Sequence, residues 1–330
     1  MTSVSSTSVL QSGTDLQINK KKKIRIPEVA ALLVFLSIEI IVFSFSSPYF
    51  FGWANFVNIL TAVSVTGVVA AGATILLIAG QLDLSVGSGV AFTGLMMAIV
   101  VPSLGVPLGV LISIMTGILI GAINGFLVTV IEVNAFIATL ASMTIFRGLT
   151  ISIGQGKNIP VDGFRWAVIR PFLGVPVAVW VLILIILAVG VLLGNTVFGR
   201  TIYAIGANSS AARLVGIKSH RNLFIAFLIS GACIAVGGLM NTSLLGATSG
   251  TAGLGLEMAA ITAVILGGTS LRGGTGSIFG TTLGLLIVGV LSNGLTLLNV
   301  ASSWQDVASG CLLVLAVSFD VLRQKWEAKH

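Results

Sequence analysis

The sequence predicts an all-helical membrane protein of about ten spans with both termini on the cytoplasmic side. Three observations predict it. Of its 330 residues, 56% are hydrophobic and only 8% charged, against about 25% charged residues in a soluble globular protein. Mean hydropathy is +1.10 and there are 40 glycines, a residue commoner in membrane helices than in soluble ones. The length accommodates about ten helices of roughly 20 residues each. The charge deficit excludes an ordinary soluble enzyme, a disordered protein and a nucleic-acid-binding domain.

Residues 1–14 contain eight Ser or Thr and read as the start of a disordered tail, which runs to residue 27. Five basic residues, Lys20 to Lys23 and Arg25, then precede an apolar run. That run, about 28–47, exceeds the 7–15-residue core of a cleaved signal peptide and reads as a first span. The basic cluster keeps the N-terminus inside. Apolar runs between polar or Gly/Pro breaks continue at about 56–80, 84–101, 106–131, 134–153, 174–194, 220–242, 253–269, 275–298 and 303–322. The runs 84–101 and 253–269 are short and Gly-interrupted, the pattern of broken or tilted segments. The membrane domain so read covers 28–325, with a short tail at 326–330. Charge placement supports the count. Of the 17 Lys and Arg, thirteen fall in inside loops, Lys157, Arg165 and Arg170 fall outside, and Arg147 falls within a span.

Charges at membrane depth need a reason, because each costs roughly 2.5–3.5 kcal/mol at the bilayer centre. Glu39 reads as a protonated carboxyl bonded to a neighbouring helix, with a proton or substrate site as the alternative. Arg147 reads as snorkelling to the outer interface. Glu257 opens a short segment, where a helix N-terminus favours a carboxylate. Gly117, Gly121 and Gly125, and again Gly276, Gly280 and Gly284, form stripes that admit a second helix closely. Cys233 and Cys311 lie in apolar stretches and form no disulfide framework. No G-x-x-x-x-G-K-[ST] occurs, so the chain has no P-loop. The Gly-rich stretch LGGTSLRGGTGSIFG at 266–280 reads as a tight cytoplasmic turn.

The large inside loop, about 195–219, carries the most information. Asn208 or Ser209 can cap a helix, residues 210–215 suit one or two turns, and Gly216 stops it. Such a helix exposing Ala211, Ala212, Leu214 and Val215 to water suggests a groove on a partner, with the membrane surface as the alternative site.

Five segments carry a family resemblance: AGQLDLSVGS (79–88), NAFIATLASMTIFRGL (134–149), FGRTIYAIGANSSAARLVGI (198–217), LEMAAITAVILGGTSLRGGTGSIFGTTLG (256–284) and LLVLAVSFDVL (312–322). The chain resembles the permease subunits of bacterial ABC importers for monosaccharides, the ribose, xylose, galactoside and autoinducer-2 group. That family often has GGIDLSVGS where AGQLDLSVGS stands here. The resemblance implies a type II ABC importer-like permease in the cell inner membrane. It implies a cytoplasmic ATPase, an extracytoplasmic sugar-binding protein, and a second permease copy or similar paralogue. It also implies that the chain is no enzyme and binds no cofactor, ATP and Mg being used by the ATPase.

On that reading the coupling helix is formed by Gly206, Asn208, Ser209, Ala211, Ala212, Arg213, Leu214 and Gly216. Candidate translocation-path residues are Asn58, Asp83, Ser85, Asn124, Asn134, Phe136, Thr139 and Asn293, uncharged or hydroxyl-bearing groups in the main, which suit a neutral sugar; for Asn55, Asn58, Asn124, Asn134 and Asn293 interhelical glue is the alternative. Membrane lipid is expected around the spans, and no nucleic acid. The competing readings are an ion-coupled secondary transporter and an ABC permease for branched-chain amino acids.

Overall fold

The computed structural model describes residues 28–327. The 1–27 tail and the last three residues lie outside the described residues. The chain is largely helical: α1 (Glu28–Ser46), α2 (Trp53–Ala62), α3 (Ser64–Ile78), α4 (Val86–Thr129) and α5 (Ala135–Ile153) lead to a two-residue strand β1 (Ile159–Pro160). Then come α6 (Val177–Asn195), α7 (Val197–Ala207), α8 (Ser209–Leu214), α9 (Ser219–Leu245) and a second short strand, β2 (Ala247–Thr248). The chain closes with α10 (Leu256–Leu266), α11 (Ile278–Leu297) and α12 (Ser302–Glu327). Six of these helices are long and apolar enough to cross a membrane, and the bent pair α2–α3 makes a seventh.

Of three irregular segments, the first differs from the sequence reading in form, the second turns in the break drawn between 84–101 and 106–131, and the third is short, as that reading has it. The run 56–80 is broken, α2 and α3 meeting at 46°. Local hydroxyls account for the bend: Thr61 donates to the Val57 carbonyl at 2.7 Å and Ser64 to the Thr61 carbonyl at 2.7 Å, competing with the helix ladder as back-bonded Ser and Thr do. Helix α4 is one 44-residue run that turns at Gly105, whose φ of 81° and ψ of 167° are not helical. Its two limbs fold back on each other, since Gly109 packs against Met97 and Val101. The run 253–269 contains only the 11-residue α10.

The core is built on α9. Its buried residues include Phe227, Ile234, Ala235 and Met240. The Gly117–Gly121–Gly125 stripe of α4 packs against Phe224, Phe227, Gly231 and Ala235 of α9, the close approach the stripe predicts. The second stripe works differently. Gly280 and Gly284 of α11 lie against the backbone of Gly267 and Ala263, but Gly276 is outside the helix, at φ 146°, and shapes the loop before it.

Connections gather at two ends of the bundle. At one end, the α3–α4 loop, the α4–α5 turn, α7, α8 and the α10–α11 loop meet. At the other, β1 pairs antiparallel with β2, Arg165 donates to the Leu245 carbonyl at 3.3 Å, and the Trp53 indole N–H donates to the Leu173 carbonyl at 3.1 Å.

Candidate functional site

Helix α8 is built as a rigid knob. The Asn208 side chain accepts from the Ala211 N–H at 2.9 Å, so Asn208 is its N-cap and Ser209 its first residue. Gly216, at φ 85°, closes it, and the Gly216 N–H donates to the Arg213 carbonyl at 3.0 Å. Leu214 and Val215 stand 88% and 77% exposed. Ala212 does not share that face. It is buried, because a six-residue helix lying on the bundle turns one side inward. The outward face is therefore Ala211, Leu214 and Val215.

A second helix, α7, precedes the knob and was not legible as a helix within the 195–219 loop. The Thr196 hydroxyl caps it, accepting from the Gly199 N–H at 3.1 Å. Its apolar residues Ile202 and Ile205 are buried, a spacing of three that places both on one face. Helix α7 ends at a joint of bare backbone. Gly206 lies against the Ile78 carbonyl at the end of α3 and the Gly274 N–H of the α10–α11 loop. The Gly274 N–H donates to the Ile78 carbonyl at 2.8 Å. Tyr203 of α7 donates to the Gly276 carbonyl at 2.9 Å, and burial pushes its pKa up, which keeps the hydroxyl a donor. The predicted tight turn at 266–280 is thus a docking surface for α7.

The path candidates separate into distinct groups. Asp83, Ser85 and Asn124 form one buried network. The Ser85 N–H and hydroxyl both donate to Asp83 Oδ1, at 2.9 and 2.6 Å. Asn124 donates to the Ser85 hydroxyl at 2.8 Å and accepts from Ser142 at 2.5 Å. Ser230 donates to Asp83 Oδ2 at 3.4 Å. Asp83 is 2% exposed, and Ser85 and Asn124 are 0%, so these groups hold the α3–α4 loop against α4, α5 and α9 and are shut off from solvent among the described residues. Thr139 fastens the same loop, donating to the Leu82 carbonyl at 3.1 Å. Asn293 forms a reciprocal pair with Asn55 at 2.9 and 3.0 Å. Asn58 is exposed and has no hydrogen-bond partner among the described residues. Ser142 and Ser230 escaped the sequence reading, since lone hydroxyls on apolar helices carry no spacing signal.

Asn134 and Phe136 fall elsewhere. Asn134 caps α5, accepting from the Phe136 N–H at 3.0 Å. Both residues line a polar cavity of about 420 Å³ together with Gln81, Glu132, Ser209, Arg213, Ser219 and His220. Two path candidates and two coupling-helix candidates thus share one cavity. A larger cavity, about 530 Å³, lies between α1, α2 and α11, but its walls are apolar, including Leu36, Ile40, Trp53, Phe56 and Val290, and it holds no chemistry for a hydroxylated solute.

Arg147, read as snorkelling, uses one guanidinium nitrogen to donate to the Gly250 and Ala252 carbonyls, both at 2.8 Å, clasping the loop before α10. Glu39 is buried but makes no hydrogen bond to a neighbouring helix among the described residues, and its Oε2 is without a partner. Glu257 lies in the first turn of α10 as expected. No group of three His, Cys, Asp or Glu suited to a metal occurs among the described residues.

Residues 55–317 match the family described as "Branched-chain amino acid transport system / permease component". The chain belongs to that family. The permease is 39% identical over 302 residues to the ribose import permease protein RbsC of Escherichia coli (strain K12), covering 88% of this chain and 93% of the relative. It is 40% identical over 290 residues to RbsC of Bacillus subtilis (strain 168), covering 86% and 90%. The L-arabinose transport system permease protein AraH of Escherichia coli (strain K12) is 34% identical over 304 residues, covering 91% and 93%. No solved structure matches the permease. It is a membrane-embedded transport subunit rather than an enzyme.

Proposed function

We propose that this chain is the membrane-spanning subunit of a bacterial inner-membrane ABC importer that carries a monosaccharide into the cytoplasm. The observation that carries the reading is the identity to ribose and arabinose import permeases over some nine-tenths of the chain. The α8 knob with its exposed apolar tip, joined through α7 by bare backbone to the end of α3 and the α10–α11 loop, suits the same function. A separate ATPase grips Ala211, Leu214 and Val215; ATP and Mg stay with that ATPase. A soluble sugar-binding protein docks at the opposite end, and a second permease, identical or paralogous, completes the pore.

The ten-span arrangement with cytoplasmic termini belongs to this proposal. Support comes from α4, whose two limbs supply two of the expected segments, and from the clustering at one end of every loop that the charge distribution assigns to the inside. Closure of the ATPase moves α8. Because Gly206 meets the backbone of Ile78 and Gly274, α7 has no side-chain cushion there and passes that motion to α3 and α11. The Asp83 network holds the loop after α3 to α4, α5 and α9, so the displacement spreads as a body. A neutral sugar then leaves by the polar cavity beside α8, past Asn134 and Phe136.

The test is co-purification and uptake. The pair Leu214→Asp and Val215→Asp should abolish ATPase association and sugar uptake while leaving membrane insertion intact. Both positions are exposed, so folding is spared. Retained association would refute the docking role. Uptake by the purified chain alone under a proton or sodium gradient would refute the ATP-driven reading.

A further inference from the structure

The loop between α9 and α10 lies at membrane depth. Helix α9 brings the chain to Leu245, at the β1–β2 end of the bundle. Helix α10 finishes near the α8 end, where Gly274 of the loop after it donates to the Ile78 carbonyl. Yet α10 has only 11 residues, which at the helical rise reach about 16 Å, roughly half of a hydrocarbon core about 30 Å thick. The loop therefore descends to mid-depth before α10 begins. A second measure agrees. Arg147, which holds the Gly250 and Ala252 carbonyls, stands about 18 Å along α5 from Ala135, and α5 starts at the α8 end.

Irregular backbone at that depth does not face lipid; it is buried in protein or lines a water-filled cavity. Part of this loop is not buried. Thr251, Leu254 and Gly255 are exposed, and the N–H groups of Thr251 and Gly255 meet no acceptor among the described residues. The loop is nonetheless firmly held. The Ala252 N–H donates to the Ser249 carbonyl at 3.1 Å and the Leu254 N–H to the Thr251 carbonyl at 3.2 Å, while Gly253 lies against the Gly87 backbone of α4. The Ser249 and Thr251 hydroxyls stand 3.1 Å apart, so a bond between them uses one of their two protons and leaves the other to donate elsewhere. The neighbouring face of α5 is of the same kind. Thr144 and Gly148, each three residues before Arg147 and Ile151 and so beside them, are exposed. The exposed face of α6, by contrast, is Leu184, Leu187 and Val191, the surface that lipid requires.

Fixed hydroxyls and open N–H groups beside an apolar Leu254 match a sugar, whose hydroxyls need hydrogen-bond partners and whose C–H face needs apolar contact. We propose that the 249–255 loop is a sugar-contacting station midway through the membrane, where Ser249, Thr251 and the N–H groups of Thr251 and Gly255 bond the sugar hydroxyls and Leu254 meets the ring. The inference rests on the sugar-import reading and adds where the sugar is held before it reaches the cavity beside α8.

The test uses the assembled transporter, permease with its ATPase and sugar-binding protein, in proteoliposomes. With the exposed Cys311 replaced, the Thr251→Cys variant should react with a charged, membrane-impermeant thiol reagent. Saturating binding protein loaded with D-ribose or L-arabinose, together with ATP, should slow that reaction about tenfold, as an occupied site shields its walls. Leu187→Cys, on the lipid-facing side of α6, should not react. No reaction of the Thr251→Cys variant, the result expected if a second permease copy covers the loop, overturns the proposal. Reaction that the sugar leaves unchanged overturns it as well. Thr251→Val should lower sugar uptake about tenfold through the lost hydroxyl while the ATPase still co-purifies, and Thr251→Ser, which keeps the hydroxyl, should retain most of the uptake. Equal loss in both variants, or full uptake by Thr251→Val, would assign the hydroxyl no contact with the sugar. Absence of ribose and arabinose uptake by the unsubstituted transporter would sink the import reading; normal uptake with an unreactive Thr251→Cys variant would sink only this station.

Discussion

Asn124 joins three elements through one side chain, donating a hydrogen bond to the Ser85 hydroxyl and accepting one from Ser142. Replacing it with Leu strands the buried Ser142 hydroxyl, at about 1–3 kcal/mol, and takes one of two partners from the Ser85 hydroxyl, which keeps Asp83. Asn124→Leu should therefore lower the thermal midpoint of the detergent-purified chain, whereas Asn58→Ala, at an exposed position, should leave it unchanged. An equal fall in both would refute the network's structural role. Gly206 supplies a second test at this scale. A Cβ there would meet the Ile78 carbonyl and the Gly274 N–H, backbone groups that cannot swing aside. Gly206→Ala should reduce uptake strongly while the ATPase still binds, which co-purification and a transport assay together would separate.

Helix α8 owes its form to its ends more than to its six residues, too few to be stable alone. Asn208→Ala removes a side-chain cap, a loss of about 1 kcal/mol, and should weaken ATPase association without abolishing it. Asn208→Ser retains capping and should restore it. Arg147 acts on another element. Its hydrogen bonds to Gly250 and Ala252 fix the loop before α10, so Arg147→Ala should raise proteolytic cutting near residue 250 in folded protein. Unchanged cutting would mean the loop is held by other contacts. The sequence showed α8 through its cap and its terminating glycine. It did not show α7, whose period is clear only once Ile202 and Ile205 have a surface to bury against.

For the molecule as a whole, the proposed orientation is open to direct labelling. Ser210→Cys should react with a membrane-impermeant thiol reagent only from the cytoplasmic face, and Lys157→Cys only from the outside. The exposed native Cys311 is replaced first. The reverse pattern would place α8 where no ATPase exists. Span positions were largely readable because a lipid-facing helix must be apolar along its length. Span shapes were less so. The bend at residue 63 lies in apolar surroundings, where hydropathy gives no signal, whereas the turn at Gly105 falls in the Gly/Pro break between the runs 84–101 and 106–131.

Composition, charge placement and cap chemistry thus determined that this chain is a helical membrane protein with an exposed knob on one loop. Those are local properties, written by how each segment meets lipid or water. Which polar residues are bonded and which stand free depended on helix packing. Asp83, Ser85 and Asn124 look like path residues in one dimension, and only their contacts show them spent on holding helices together. The cavity beside α8 likewise draws walls from residues 80 to 223, a distance in sequence that only the folded bundle closes.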